Sequence, residues 1–475
     1  MITVIQSLVK KSSFWVIFLL IISSVFRLSF LGNIEFKADE AEGVYQAYNF
    51  IHYHQFPTNG FANSIGIHYF PFFSYFLILL SLLRTDPQFL TFLIALLNVL
   101  IIPFYYLFIN RFYSHGVAIF SSLLLALAPW EILYSRKIWS IDVLLIFSVP
   151  FLYFLHRLIF LKDSKAAFWT FLFGVLLIQI DFSGIFLMLI TLIYLVWKRI
   201  KVNYFSAVKG TLLGALPTVP YLYYQFFSGA FCKDCTGFSQ FIGTQYALDL
   251  THFLRPFELL SIFYFSFELG DDYQKFFQSN LLLPFINFIG IISIALILFG
   301  IYHIITKERK HILLICYLIF LPIINFFCGV NSFMHLYVIL MPIVALIAGI
   351  GLQAFMKRAK PVWLKAMYVA SFLLLLTSFV IFECLFNTFL ASQKVIYGDY
   401  GPIYSVGNTY LNKELKSYRS YPYYEELKYY AFIFLYTDGL HSRLGDFFAA
   451  RHDYKDARKE YSIDTNTFPS TLETQ

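Results

Sequence analysis

Long apolar runs separated by short polar breaks dominate this chain from residue 14 to residue 390. Runs at 14–31, 88–110, 116–130, 141–161, 205–227, 283–305, 311–328, 336–356 and 363–390 predict membrane spans, because about 20 apolar residues in a helix cover the ~30 Å of hydrocarbon in a bilayer. The stretch 166–197 is apolar too, but Asp181-Phe182-Ser183-Gly184 interrupts it. It is too long for one ordinary crossing and reads as two short spans. The stretch 69–83 is short for a span and suits a re-entrant or interfacial helix. Lys10-Lys11 gives the first run the flank of a signal peptide. No small-x-small cleavage site follows, so it reads as a retained first span.

Charge orients these elements. The strongest basic clusters are Lys10-Lys11, Lys198-Arg199-Ile200-Lys201, Lys307-Glu308-Arg309-Lys310 and Lys357-Arg358-Ala359-Lys360. All four are expected in the cytoplasm, since short cytoplasmic loops carry the excess of Lys and Arg. The number of crossings between the first two clusters must then be even. Two crossings for 166–197 and none for 69–83 satisfy this, and so does one crossing for each. The first solution gives about 11 spans, with the N-terminus inside and the C-terminus outside. A transmembrane module over 1–390 then carries a first outer loop (32–87) and a middle outer loop (228–282), and 391–475 follows as an extracytoplasmic appendage. That tail is polar and Tyr-rich, with one strand-like run from Ala431 to Tyr436.

Composition agrees with a lipid-embedded chain: 59% of residues are hydrophobic and 13% charged, against roughly 25% charged in soluble domains. The net charge of +7 does not point to nucleic acid, because the cations sit in short loops between spans. Five cysteines build no disulfide framework. Cys316, Cys328 and Cys384 lie in or beside apolar runs and read as packing residues. Cys232-Lys233-Asp234-Cys235 lies in a polar loop, where a local disulfide or two free thiols is a commoner arrangement than a redox or zinc site lacking a second ligand pair.

Candidate chemistry concentrates at two places. In the first outer loop, Val44, Tyr48 and Ile51 recur at helical spacing after Asp39-Glu40. This predicts an amphipathic helix on the membrane surface, apolar face down. Asp39 stands where an N-cap belongs, with Glu42 three residues on as in a capping box. A carboxylate pair at the lipid boundary equally suits a general base acting on an acceptor hydroxyl, and both readings are open. The second place is Pro129 to Asp142, between the third and fourth runs. Asp142 falls in the first turn of a span, where the helix dipole favours a carboxylate. Arg136 and Lys137 precede it at the same interface. Acids beside cations are what a sugar-phosphate donor requires, with the base activating the acceptor and the cations stabilising the departing phosphate. The middle loop adds six acids against three cations, among which Arg255 and Lys275 are weaker phosphate candidates. His52, His54 and His68 have no spacing that closes a metal site.

At this point the chain resembles the GT-C membrane glycosyltransferases, in the branch of protein O-mannosyltransferases and lipid A aminoarabinose transferases. The resemblance rests on Asp39-Glu40 after the first span, on His68-Tyr69-Phe70-Pro71, and on Pro129, Ser135-Arg136 and Asp142-Val143-Leu144-Leu145 in order. It covers roughly residues 10–160, and the hydropathy layout agrees to about 390. It implies an all-α polytopic bundle with juxtamembrane helices in the first outer loop. It also implies a polyprenyl- or dolichyl-phosphate sugar as donor, and transfer with inversion at the extracytoplasmic face of a prokaryotic plasma membrane. By the same resemblance Asp39 is the base, Glu40 its companion, Asp142 the second acid and Arg136 the Arg that precedes it. Two departures stand out: Phe70-Pro71-Phe72 replaces the common Pro-Pro-Leu, and Met334-His335-Leu336-Tyr337 replaces an Arg-Tyr entering a late span. His335 and Tyr337 are therefore candidates for donor phosphate or sugar contacts, and interfacial anchoring explains an aromatic there as well. Some members of the group use a divalent cation, so that requirement stays open, with no metal ligand assigned. The acceptor class (protein, lipid or glycan) is also open. A secondary transporter and a non-catalytic membrane assembly protein are the competing classes. The first would place ionisable groups near the bilayer midplane and repeat its halves; here the ionisable residues sit near span ends and no repeat is visible.

Overall fold

The computed structural model describes residues 12–61, 68–227, 248–393, 395–416, 419 and 424–433. Among them the chain is helical, and β-structure is confined to isolated bridges such as Glu35 with Ile403 and Val395 with Pro402. Cys232 and Cys235 lie outside the described residues. Six helices are long and apolar enough to cross a membrane: Pro87–Phe112, Ser140–Phe160, Leu283–Lys307, Arg309–Cys328, Met334–Arg358 and Val362–Ser392. Shorter apolar helices, among them Ser12–Leu28, His115–Leu127, Ala166–Ile180 and Ser183–Trp197, complete a multi-pass membrane bundle.

Span faces follow from sequence periodicity. In Ser12–Leu28, Leu19, Ser23 and Arg27 are buried at steps of four, while Ile17, Ile21 and Val25 form an exposed apolar stripe. That stripe suits lipid, since the four-residue step keeps side chains on one face. Arg27 is fully buried and donates to the carbonyls of Ala126 (2.7 Å) and Leu125 (3.1 Å), orphaned where His115–Leu127 ends. The helix Met341–Arg358 has no polar face over Met341–Leu352, and every residue there is buried, as an all-round apolar helix at a bundle centre must be.

The ambiguous runs are resolved at the level of helices. The stretch 166–197 forms two helices separated at Asp181-Phe182, where Asp181 Oδ1 accepts the Ser183 N–H at 2.8 Å. The stretch 69–83 yields only Phe72–Ser81, about 15 Å long at 1.5 Å per residue and too short to cross. It packs against a first-loop helix, Ala38–Tyr53, and against Ala166–Ile180.

Two expectations for the loops need correction. The first-loop helix does not lay its apolar face on lipid. Ala41, Val44, Ala47 and Tyr48 are buried under Phe72–Ser81 and the tail helix Tyr424–Ile433, with Tyr48 against Tyr429 at 5.9 Å between ring centroids. The strand-like run from Ala431 is helical through Ile433, and its remainder lies outside the described residues. Burial of Phe432 against Phe36 and Tyr404 decides that conformation, because tertiary packing outweighs the ~1 kcal/mol span of β-propensity.

Candidate functional site

Two helix starts converge on one lysine. The first-loop helix begins at Ala38, not after an Asp39 cap: Lys37 is the N-cap, and its backbone N–H donates to Glu40 Oε2 at 3.0 Å. The turn Ser140–Val143 opens the span 140–160 in the same way, with the Trp139 N–H donating to Asp142 Oδ2 at 3.1 Å. Glu40 and Asp142 are thus each pinned to the start of their own helix through one oxygen. Asp142 is fully buried, and its other oxygen, Oδ1, has no hydrogen-bond partner. Asp39 caps nothing. It is half-buried, and no hydrogen bond to its carboxylate occurs among the described residues.

Lys137 lies between these acids, within the electrostatic reach of Glu35, Glu40, Asp142 and Glu268. Its Nζ is 2.6 Å from Glu35 Oε2, while Lys37 Nζ is 2.7 Å from Glu35 Oε1. One carboxylate therefore bridges two ammonium groups. Glu35 is a site residue that sequence reasoning did not single out, since it stands alone between Ile34 and Phe36 with no helical or strand pattern around it. The two lysines differ in access: the side chain of Lys137 is 4% exposed and that of Lys37 is 26% exposed.

The middle loop and the tail close the cluster. Glu268 accepts from the Tyr134 hydroxyl at 3.0 Å. The Tyr400 N–H donates to the Glu268 carbonyl at 2.9 Å, the Asp399 N–H to Phe267 O at 3.2 Å, and the Asp271 N–H to Tyr397 O at 3.1 Å. Gly270 (φ +51°) permits this approach, because a Cβ there would run into Tyr397 O. Asp399 then faces Lys37 at 3.5 Å. Glu268, Asp399 and Tyr400 had no signal in the sequence, because backbone pairing across more than a hundred residues brings them in.

Electrostatics follow from this crowding. Burial pushes the Asp39 carboxyl above its ordinary value, with Lys37 and Lys137 opposing the shift. Burial, reinforced by the Glu35 carboxylate, raises Glu40 to about 7. Glu42 rises to about 8 by burial and by Asp39, although it accepts from Gln46 at 3.1 Å. Burial works against the charge on Lys37, but Glu35 and Asp399 hold its ammonium above the ordinary lysine range. Tyr69 feels both Asp181 and Asp39, which places the break in 166–197 on the side of the first-loop acids.

The remaining candidates separate. His335 joins the cluster: its ring stands 5.0 Å from that of Trp139, and Lys137 Nζ lies 4.5 Å from the Trp139 ring centre. Tyr337 belongs elsewhere. It is fully buried, with its hydroxyl 2.5 Å from His252 Nδ1. Arg136 spends its terminal nitrogens on Phe26 O (3.3 Å), Asn387 Oδ1 (3.4 Å) and Phe30 O (3.2 Å), tying the first span to the last. Arg136 and Lys137 border a cavity of about 20 Å³ with Glu35, Glu383 and Tyr400, room for about one water molecule. Arg255 is held by Glu258 at 2.5 Å and by Ser332 O at 2.7 Å. Lys275 reaches Gln393 at 2.7 Å. No group of three or more His, Cys, Asp or Glu side chains converges as a metal site among the described residues.

No protein-family model and no curated protein matches the chain. Solved structures do. The chain superposes on ArnT from Cupriavidus metallidurans bound to undecaprenyl phosphate with a TM-score of 0.52 and 13% identity, covering 85% of this chain and 80% of that one. The apo state of the same protein gives 0.52 and 14%, covering 85% and 79%. At this identity the likeness concerns architecture, and the architecture is the GT-C membrane fold.

Proposed function

We propose that this chain transfers a sugar from a polyprenyl-phosphate-linked donor to an acceptor hydroxyl at the extracytoplasmic surface, with inversion. The observation that carries the reading is the state of Asp39. Among the described acids around Lys137 it is the half-buried one whose carboxylate neither caps a helix nor joins an ion pair. Support for the donor class comes from the shared fold, since a protein with that fold holds undecaprenyl phosphate.

In this mechanism Asp39 accepts the acceptor hydroxyl's proton while the hydroxyl oxygen forms a bond to the anomeric carbon. The bond from that carbon to the phosphate oxygen breaks, and its electron pair leaves with the polyprenyl phosphate. Developing phosphate charge is met by ammonium groups fixed beforehand, so little reorganisation accompanies the step. Lys37 is the reachable ammonium, being part-exposed and paired to the same Glu35 that holds Lys137. Lys137 and Arg136 act from behind through their field. Asp142 and Glu40 set the two helix starts, and Glu35 is the main carboxylate that keeps Lys137 charged. Raising the Asp39 pKa by burial strengthens it as a base at neutral pH.

The test is an assay on membranes supplied with polyprenyl-phosphate sugars, comparing the wild type with Asp39→Asn and Asp142→Asn. Loss of transfer in Asp39→Asn with the protein still folded supports the assignment. Full transfer in Asp39→Asn overturns it.

A further inference from the structure

Asp399 stands at the tip of a hairpin that the tail lays against the first loop. Val395 pairs with Pro402, and the Ile396 N–H donates to Gly401 O at 3.0 Å, leaving Tyr397 to Tyr400 as the turn. The middle loop holds this turn through the backbone pairings of Tyr397, Asp399 and Tyr400 with Asp271, Phe267 and Glu268. Two more bonds fix it: the Tyr397 N–H donates to Asp272 Oδ2 at 2.8 Å, and the Tyr400 hydroxyl donates to Asn33 O. Backbone contacts, not the side chain, therefore place Asp399. That side chain is 40% exposed and faces Lys37 Nζ at 3.5 Å. No hydrogen bond reaches its carboxylate among the described residues.

An ammonium group has three donors. Lys37 gives one to Glu35 Oε1 at 2.7 Å and one to the backbone carbonyl of Asp399. For the third, the described residues offer the Asp399 carboxylate, which is too distant for a charged hydrogen bond. That third donor is the one a phosphate can take. The charges around it are closely balanced. Lys37 and Lys137 share Glu35, which leaves an excess of one positive charge, and Asp399 cancels it. Glu40 and Asp142 are turned to their helix starts, and their charge adds only to the negative side.

Transfer changes the charge on the lipid. The donor is a phosphodiester with one negative charge. Once the anomeric carbon has left, the phosphate is a monoester carrying close to two at neutral pH. The ammonium groups stay the same in number. Asp39 does not oppose the added charge, because the same step protonates it. We propose that Asp399 discriminates the spent carrier from the donor. Its carboxylate swings aside for a singly charged phosphodiester at Lys37 and repels the polyprenyl phosphate monoester left there, which promotes release. This rests on the sugar-transfer reading, with Lys37 as the partner of the phosphate, and adds what clears that place after each turnover. A purely structural role explains less, since the backbone of the hairpin already ties the tail to both loops and an exposed ion pair contributes little.

The experiment uses the full chain in lipid nanodiscs at about pH 8, where the monoester carries both charges. It is titrated with undecaprenyl phosphate and, separately, with undecaprenyl methyl phosphate, a phosphodiester that keeps a single charge. Repulsion scales with the charge on the ligand, so Asp399→Asn should tighten the diester about threefold and the monoester about tenfold. Asp399→Glu, which keeps the charge, should retain the wild-type ratio of the two affinities. A ratio unchanged in Asp399→Asn, or shifted equally in Asp399→Glu, overturns the proposal, as does a weaker grip on the monoester in Asp399→Asn. In each of these cases the wild type still binds the lipids and the sugar-transfer reading stands. A wild type that binds neither lipid overturns that reading and the role of Asp399 with it.

Discussion

Glu35 Oε2 and Lys137 Nζ stand 2.6 Å apart across 102 residues of chain, with the two side chains 1% and 4% exposed. A pair so enclosed contributes through what happens when one member is lost. Removing either partner leaves an uncompensated buried charge, which costs about 3–5 kcal/mol, whereas an apolar replacement of both is often neutral.

Glu35→Gln should therefore destabilise the folded protein toward the lower end of that range, about 3 kcal/mol, because Glu40, Asp142 and Glu268 still surround Lys137. Glu35→Leu combined with Lys137→Met should be less destabilised than the two single losses added together. Thermal unfolding in detergent of the four proteins closes the cycle. Simple additivity would mean the pair is not coupled.

Asp39→Asn should lower the transfer rate by about 10²–10⁴-fold, the scale of a lost general base. It should leave thermal stability close to wild type, since no hydrogen bond to that carboxylate occurs among the described residues. Asp142→Asn keeps an oxygen for the Trp139 N–H and so keeps the helix start. It should act through the field at Lys137 and reduce transfer less than Asp39→Asn does. Kinetics and unfolding measured side by side on both variants decide this, and a reversed order of the rate losses counts against Asp39 as the base.

The pH dependence has a fixed sign at Glu40. Its proton is held more tightly in the fold, where the pKa is about 7, than in the unfolded chain at 4.5. Its contribution to stability is present in full below pH 4.5 and is lost as pH rises through 7. Glu40→Gln, neutral throughout, should flatten the stability profile between pH 4.5 and 8. Parallel profiles for the two proteins would show that Glu40 does not titrate in that window.

Gly270→Ala should disturb the site from a distance. A Cβ at residue 270 would meet Tyr397 O, on the stretch of tail that carries Asp399 and Tyr400 to Lys37 and Glu268. Protease sensitivity of the tail should rise and transfer should fall. An unchanged digestion pattern with normal activity would show that the tail tolerates the displacement.

The six long spans were legible because hydrocarbon thickness and helix rise dictate run length, and the break at Asp181 because a polar tetrad cannot continue an apolar helix; the expected span 205–227 is instead broken at Leu216–Thr218. Asp39, Glu40, Lys137 and Asp142 could be picked out because each stands beside a predicted span or surface helix. The structure brings them together. Glu35, Glu268, Asp399 and Tyr400 were invisible for a common reason: their places are set by backbone pairing between the first loop, middle loop and tail, and hydropathy carries no trace of that pairing. Tyr337 illustrates the converse. Its adjacency to His335 suggested a shared site, but the tight turn of Met334–Leu340 points the two rings at different neighbours, Trp139 and His252. The first-loop helix start was displaced by two residues because Glu40 is the partner of the Lys37 amide, and Glu42 does not cap at Asp39.

The tail's backbone contacts with the middle loop also impose an order on biosynthesis. Asp399 follows Lys37 by 362 residues. At roughly 5–20 residues per second, about 20–70 s separate the emergence of the two. During that interval the first-loop charges exist without the segment that encloses them. The helices of the bundle are thus made before the segment that encloses the first-loop charges, and those charges gain their cover late.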